Sequence, residues 1–134
     1  MIKTTRGLLA GLALVALPLL VHAGEVATSD GGVSYVTGGA SDEERDKLEA
    51  MSGKFNVKMT HAMQNGDYVA DVKVRIVDGH GKALITTVTE GPFMYAQLPA
   101  GTYTIECSLN GKEQKQTVRV ENGKRADLKF TWTS

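Results

Sequence analysis

Apolar and polar positions divide the chain into an N-terminal apolar run, a short stretch of helical periodicity and a long series of period-two segments. Phe55, Val57, Met59, His61 and Met63 alternate with Asn56, Lys58, Thr60 and Ala62, as the two faces of a strand do. The same alternation recurs in Tyr68–Val77, Ala83–Val88, Phe93–Leu98, Tyr103–Leu109, Gln114–Val120 and Ala126–Trp132. Turn signals separate these segments: Asn65-Gly66, Asp78-Gly79, Gly91-Pro92, Pro99-Ala100-Gly101, Asn110-Gly111 and Asn122-Gly123. Seven short, evenly spaced segments predict an all-β, seven-stranded antiparallel sandwich over 54–134.

Ahead of the strands, residues 41–53 read as one short helix. Ser41 and Glu44 have capping-box spacing, Asp42 to Glu44 suit the positive helix end, and Gly53 stops the element. Residues 24–40 are rich in Gly, Ser, Thr and Asp and predict an irregular arm, with Val33 to Val36 as its one strand-like stretch. Residues 1–23 have the form of an export signal: Lys3 and Arg6, an apolar run from Gly7 to Leu20, then Val21-His22-Ala23 before the cut. The run is shorter than the roughly 20 residues a spanning helix needs. Export to the periplasm with cleavage after Ala23, and no stable membrane anchor, is therefore expected.

Cleavage removes two cations, so 13 basic residues face 15 acidic ones in the mature chain. That balance argues against nucleic acid as a partner. A lone cysteine, Cys107, precludes an internal disulfide, and its mid-strand position predicts a buried, inert thiol.

Specific residues add a likeness. Val72-Lys73-Val74-Arg75-Ile76-Val77-Asp78, Gly81-Lys82, Gly91-Pro92-Phe93, Leu98-Pro99-Ala100-Gly101-Thr102-Tyr103 and Gly111 follow one another in order. This succession resembles the carboxypeptidase regulatory-like domain, a transthyretin-like β-sandwich, as found in small exported proteobacterial proteins. The resemblance implies a scaffold and no reaction. Transthyretin-like sandwiches include a urate-pathway hydrolase that ends in Tyr-Arg-Gly-Ser. This chain instead ends Phe130-Thr131-Trp132-Thr133-Ser134.

Four readings of function follow. The first is a non-enzymatic periplasmic binding or interaction module without a cofactor. Its partner is an envelope protein or small ligand, engaged through Thr37, Gly38, Gly39 and Tyr95 or by strand addition at an open edge. The second is soft-metal binding, copper above all, by Met59, His61 and Met63, because thioethers and imidazole suit that ion. Against it, strand rise sets Met59 and Met63 roughly 14 Å apart along the backbone, and the same face continues Phe55 and Val57 into a core. The third is carbohydrate binding by exposed aromatics, with Tyr35, Tyr95 and Trp132 the rings whose facing is least fixed. The fourth, a hard-metal set of Asp71, Asp78 and His80, falls short of a closed ligand shell and reads better as a hairpin turn.

Overall fold

A computed structural model describes residues 22–134. The export-signal run from Gly7 to Leu20 lies outside the described residues, and the cut after Ala23 lies at their start. Among the described residues no helix is long and apolar enough to cross a membrane.

The described residues form nine strands in two sheets. One sheet has the order β1 (Ala27–Thr28), β2 (Ser34–Gly38), β6 (Phe93–Gln97), β3 (Val57–Met63) and β9 (Ala126–Trp132). The other has the order β5 (Ala83–Val88), β4 (Lys73–Val77), β7 (Gly101–Leu109) and β8 (Lys112–Val120). They are called the five-strand and four-strand sheets below. Their inner faces share one core, in which Val57, Met59, Met94 and Phe130 meet Val74, Ile76, Ile105 and Val118. The fold is thus a two-layered, mostly β structure with one α-helix among the described residues.

Two expectations need correction. The strand count is nine rather than seven, because the arm supplies β1 and β2, and β2 pairs with β6 from Ser34↔Gln97 to Gly38↔Phe93. Val33, Tyr35 and Val36 have apolar faces to bury, and that outweighs the turn-prone residues around them. Nor is the arrangement wholly antiparallel. β9 lies parallel to β3, from Val57↔Ala126 to Met63↔Trp132, because the chain crosses from the four-strand sheet back to the five-strand sheet after β8. Local alternation carries no information about which strand becomes a neighbour.

The segment expected as Tyr68–Val77 is strand only from Lys73. Residues 64–72 carry the chain from one sheet to the other, and Asp71 takes a left-handed φ of 64° on the way. The loop folds back on β3: the Asp67 carbonyl accepts from Met63 N–H at 2.7 Å and Val69 N–H donates to the His61 carbonyl at 3.1 Å. Tyr68 is thereby turned onto the outer face of the five-strand sheet, beside Ala62.

The helix α1 (Asp42–Met51) starts at Ser41, whose Oγ accepts from Glu44 N–H at 3.2 Å. The Glu44 carboxylate accepts in return from Gly39 N–H at 3.0 Å and from Ala40 N–H. Leu48 is the helix's buried contact, packing with Val36, Phe55 and Tyr95 on the outer face of the five-strand sheet. At the Leu98–Gly101 corner the Tyr103 hydroxyl donates to the Pro99 carbonyl at 2.6 Å, the backbone partner expected for a ring on that face.

Candidate functional site

The outer face of the five-strand sheet is built by simple alternation. On β3, Val57, Met59 and His61 point inward, so Lys58 and Thr60 point outward. Register sets Lys58 between Tyr95 of β6 and Asp127 of β9, and Thr60 between Phe93 and Lys129. Helix α1 covers the β2–β6 side of this face and leaves the β3–β9 side open.

Four aromatic rings run across it from buried to exposed. Phe55 and Tyr95 are buried, with ring centroids 6.0 Å apart. Phe93 is half-buried and meets Tyr68 edge-on at 5.2 Å, while Tyr68 itself is 51% exposed. Cations lie over these rings: Arg45 is 4.9 Å from the Tyr68 centroid, and Lys58 is 5.4 Å from Phe93 and 5.9 Å from Tyr95. Arg125 is 5.9 Å from Tyr95. Contacts of this kind hold long cationic side chains in place without consuming their charge. Burial, together with the Glu49 carboxylate, raises the Tyr95 pKa against the opposing pull of Arg125.

Beside the rings is a depression of about 210 Å³ between β3 and β9, lined by Lys58, Thr60, Arg125, Asp127, Leu128 and Lys129. Arg125 Nε lies 3.5 Å from the Asp127 carboxylate. Among the described residues neither Lys58 nor Lys129 makes a salt bridge.

The residues singled out from sequence fall elsewhere, with one exception. Thr37, Gly38 and Gly39 are buried in a backbone joint. Thr37 Oγ1 accepts from Glu90 N–H at 3.1 Å, and a Cβ on Gly91 would collide with the Gly38 backbone. At Gly39, φ is +96° and a Cβ would strike the Phe93 ring. This joint explains Gly91-Pro92-Phe93: the glycine lets β2 approach, and the approach fixes Phe93. The three residues hold the site's aromatic row and do not present a surface themselves. Tyr95 does belong to the row, at its buried end.

The Met–His strand also faces inward. His61 is fully buried; Trp132 Nε1–H donates to its Nδ1 at 3.1 Å, and its Nε2 lies 3.1 Å from Met59 Sδ. The indole bond leaves the ring proton on Nε2, directed at the thioether. Both ring nitrogens are thus taken by protein groups, and stacking on Phe130 at 5.2 Å completes the packing. Burial holds the His61 pKa down at about 4. Met63 is half-buried against the same core.

The remaining sequence candidates find equally structural places. Asp78 Oδ1 accepts from the N–H groups of His80 and Lys82, both at 2.9 Å, so its carboxylate closes the turn. Cys107 is buried, and burial pushes its thiol up to about 12. The three uncertain aromatics are all buried: Tyr35, Tyr95 and Trp132. Tyr68 is the exposed ring that the sequence reading missed, because the left-handed backbone at Asp71 leaves no mark in the period-two alternation.

No protein-family model matches the chain, and no curated protein does. Among solved structures, it is similar to the major pilin subunit of Bacillus cereus at 17% identity and a TM-score of 0.44. That similarity covers 56% of this chain and 28% of the pilin, so the chain spans well under half of the pilin's length.

Proposed function

We propose that the protein is a non-enzymatic, exported binding module, and that its ligand engages the open β3–β9 side of the five-strand sheet. The observation that carries this reading is the aromatic row ending in exposed Tyr68, with Arg45 and Lys58 held over its rings. Immobilised cations beside half-exposed rings lose little side-chain entropy on binding, which favours recognition. Among the four outermost strands, β9 is capped by side chains from β8: Lys112, Gln114 and Gln116 donate to the carbonyls of Thr133, Thr131 and Lys129. Strand addition at β9, the edge that borders this face, is disfavoured for that reason.

The same proposal takes the scaffold as a carboxypeptidase regulatory-like, transthyretin-like sandwich. Support comes from the structural roles found for Gly91-Pro92-Phe93 and for Leu98-Pro99-Ala100-Gly101-Thr102-Tyr103. The export-signal pattern of residues 1–23 supports a periplasmic site of action.

The test is photo-crosslinking in the cell envelope, with a photoreactive phenylalanine analogue at position 68 or, on the other sheet's outer face, at position 117. Discrete adducts from position 68 and none from position 117 are expected. Adducts from position 117 alone, or equal adducts from both, would place the binding surface elsewhere.

A further inference from the structure

We infer that the depression between β3 and β9 is a binding site for a tetrahedral oxyanion of the phosphate or sulfate type. The inference rests on the proposed binding face and names the chemistry that the face selects. Register brings Lys58 and Thr60 of β3 beside Asp127 and Lys129 of β9, and Arg125 enters from the start of the same strand. Three cations therefore border one small concavity against a single carboxylate, Asp127, which lies near Arg125.

The donor set fits an oxyanion. Two ammonium groups supply point charge, a guanidinium supplies planar paired donors, and the Thr60 hydroxyl supplies one more hydrogen bond. Lys58 lies over Phe93 and Tyr95 of β6, and Arg125 over Tyr95, so ring contacts restrict two of the three cations. About 210 Å³ accommodates one phosphate with its water and does not accommodate a large organic ligand. Any larger body attached to the oxyanion has to lie outside, toward Phe93 and Tyr68. Two sources share this chemistry: free phosphate, and a phosphate carried on a saccharide.

The experiment is a ¹H–¹⁵N and ¹H–¹³C NMR titration of the mature chain at neutral pH and low salt. The probes are sodium phosphate, glucose 6-phosphate, glucose, and sodium chloride at matched ionic strength. Saturable shifts of the Lys58, Thr60, Arg125 and Lys129 signals are expected with both phosphates and not with glucose or chloride. In Lys58→Gln/Lys129→Gln the affinity should fall at least about tenfold, whereas Arg75→Gln/Lys115→Gln on the other sheet should bind as native. Tighter binding of glucose 6-phosphate than of free phosphate, weakened by Tyr68→Ala, identifies the saccharide as the source; equal binding identifies the free anion.

Absence of saturation, a chloride response equal to that of phosphate, or unaltered binding in the Lys58/Lys129 variant overturns the inference. If glucose 6-phosphate shifts Tyr68 and Phe93 alone, the binding face stands and the oxyanion site fails. If phosphate saturates the site while crosslinking at position 68 yields nothing, the site stands and the wider face fails.

Discussion

The two outer faces of the molecule carry similar numbers of cations and arrange them in opposite ways. On the four-strand sheet, Arg75 pairs with Glu106 at 2.9 Å and Lys115 approaches the same carboxylate at 4.0 Å, while Lys73 and Arg119 lie at opposite ends of the face. Among the described residues no aromatic ring lies under these cations. On the five-strand sheet, Lys58, Arg125 and Lys129 converge on one depression, and aromatic rings hold two of them. Net charge does not separate a solvated face from a binding face here. The carboxylate partners and the ring support do: Lys73, Arg75 and Lys115 also line one cavity, of about 970 Å³, but Glu90, Glu106 and Glu113 line it with them.

The largest expected effect concerns how the aromatic row is seated. Gly91→Ala drives a Cβ into the Gly38 backbone, where neither strand can yield easily. It should destabilise the fold by about 3 kcal/mol or more in urea unfolding and weaken ligand binding in whatever protein still folds. Gly111→Ala, on the four-strand sheet, meets open space and is strained only by its φ of +81°, so it should lower stability by about 1 kcal/mol and leave binding intact.

The next effect separates the two layers by pH. His61 has a folded pKa of about 4, below the roughly 6.5 of an unfolded histidine. The stability it contributes is therefore complete above about pH 6.5 and lost as pH falls toward 4, about 3 kcal/mol in all. Cys107 on the four-strand sheet has the opposite sign. Its folded pKa of about 12 preserves stability through neutral pH and loses it only as pH rises above the ordinary thiol range of about 8.5. Melting temperature against pH should show an acid limb between about pH 6.5 and 4 that shrinks in His61→Leu, and an alkaline limb that shrinks in Cys107→Ala to the part owed to Tyr95 and Tyr103, whose pKa values burial also raises. An acid limb of unchanged size between about pH 6.5 and 4 in His61→Leu would refute the first assignment.

Smaller still is the effect of the seam between β8 and β9. Gln114→Ala/Gln116→Ala removes two donors from the carbonyls of Thr131 and Lys129. These bonds are exposed, so stability should change by about 1 kcal/mol or less, and the freed edge should raise self-association in light scattering. The smallest effect is at the exposed charges. Arg75→Gln and Lys58→Gln should each change stability by less than about 0.5 kcal/mol, so that their different effects on binding are not consequences of unfolding.

Much of the fold is legible from alternation, because each of the seven segments has a core to face and a turn signal at its end. β2 was only half legible: Val33 to Val36 alternates, but nothing local shows that Thr37-Gly38 continues the strand against Phe93. The parallel β3–β9 pair was not legible, since register between distant strands is a tertiary choice. The site was legible in one residue of four. Glycine pairs suggest open loops, yet both are buried: a Cβ on Gly38 would meet the Gly24 backbone at 3.0 Å, and one on Gly39 would strike the Phe93 ring. His61 was anticipated only in part: alternation puts it on the core face, but its place near a strand end suggests a polar edge open to water, whereas it is fully buried and Trp132 supplies the donor that satisfies it. Tyr68 escaped because a left-handed Asp71 ends the extended run that would have turned the ring inward.

The central claim is that arrangement rather than charge makes the five-strand face the binding face. The most direct measurement is salt elution of the mature protein from phosphocellulose, comparing native protein with Lys58→Gln/Lys129→Gln and Arg75→Gln/Lys115→Gln. Each pair removes the same two charges. Earlier elution of the first variant, with the second eluting as native does, is the predicted result. Equal shifts in the two variants would show that the resin reads net charge alone and would contradict the account.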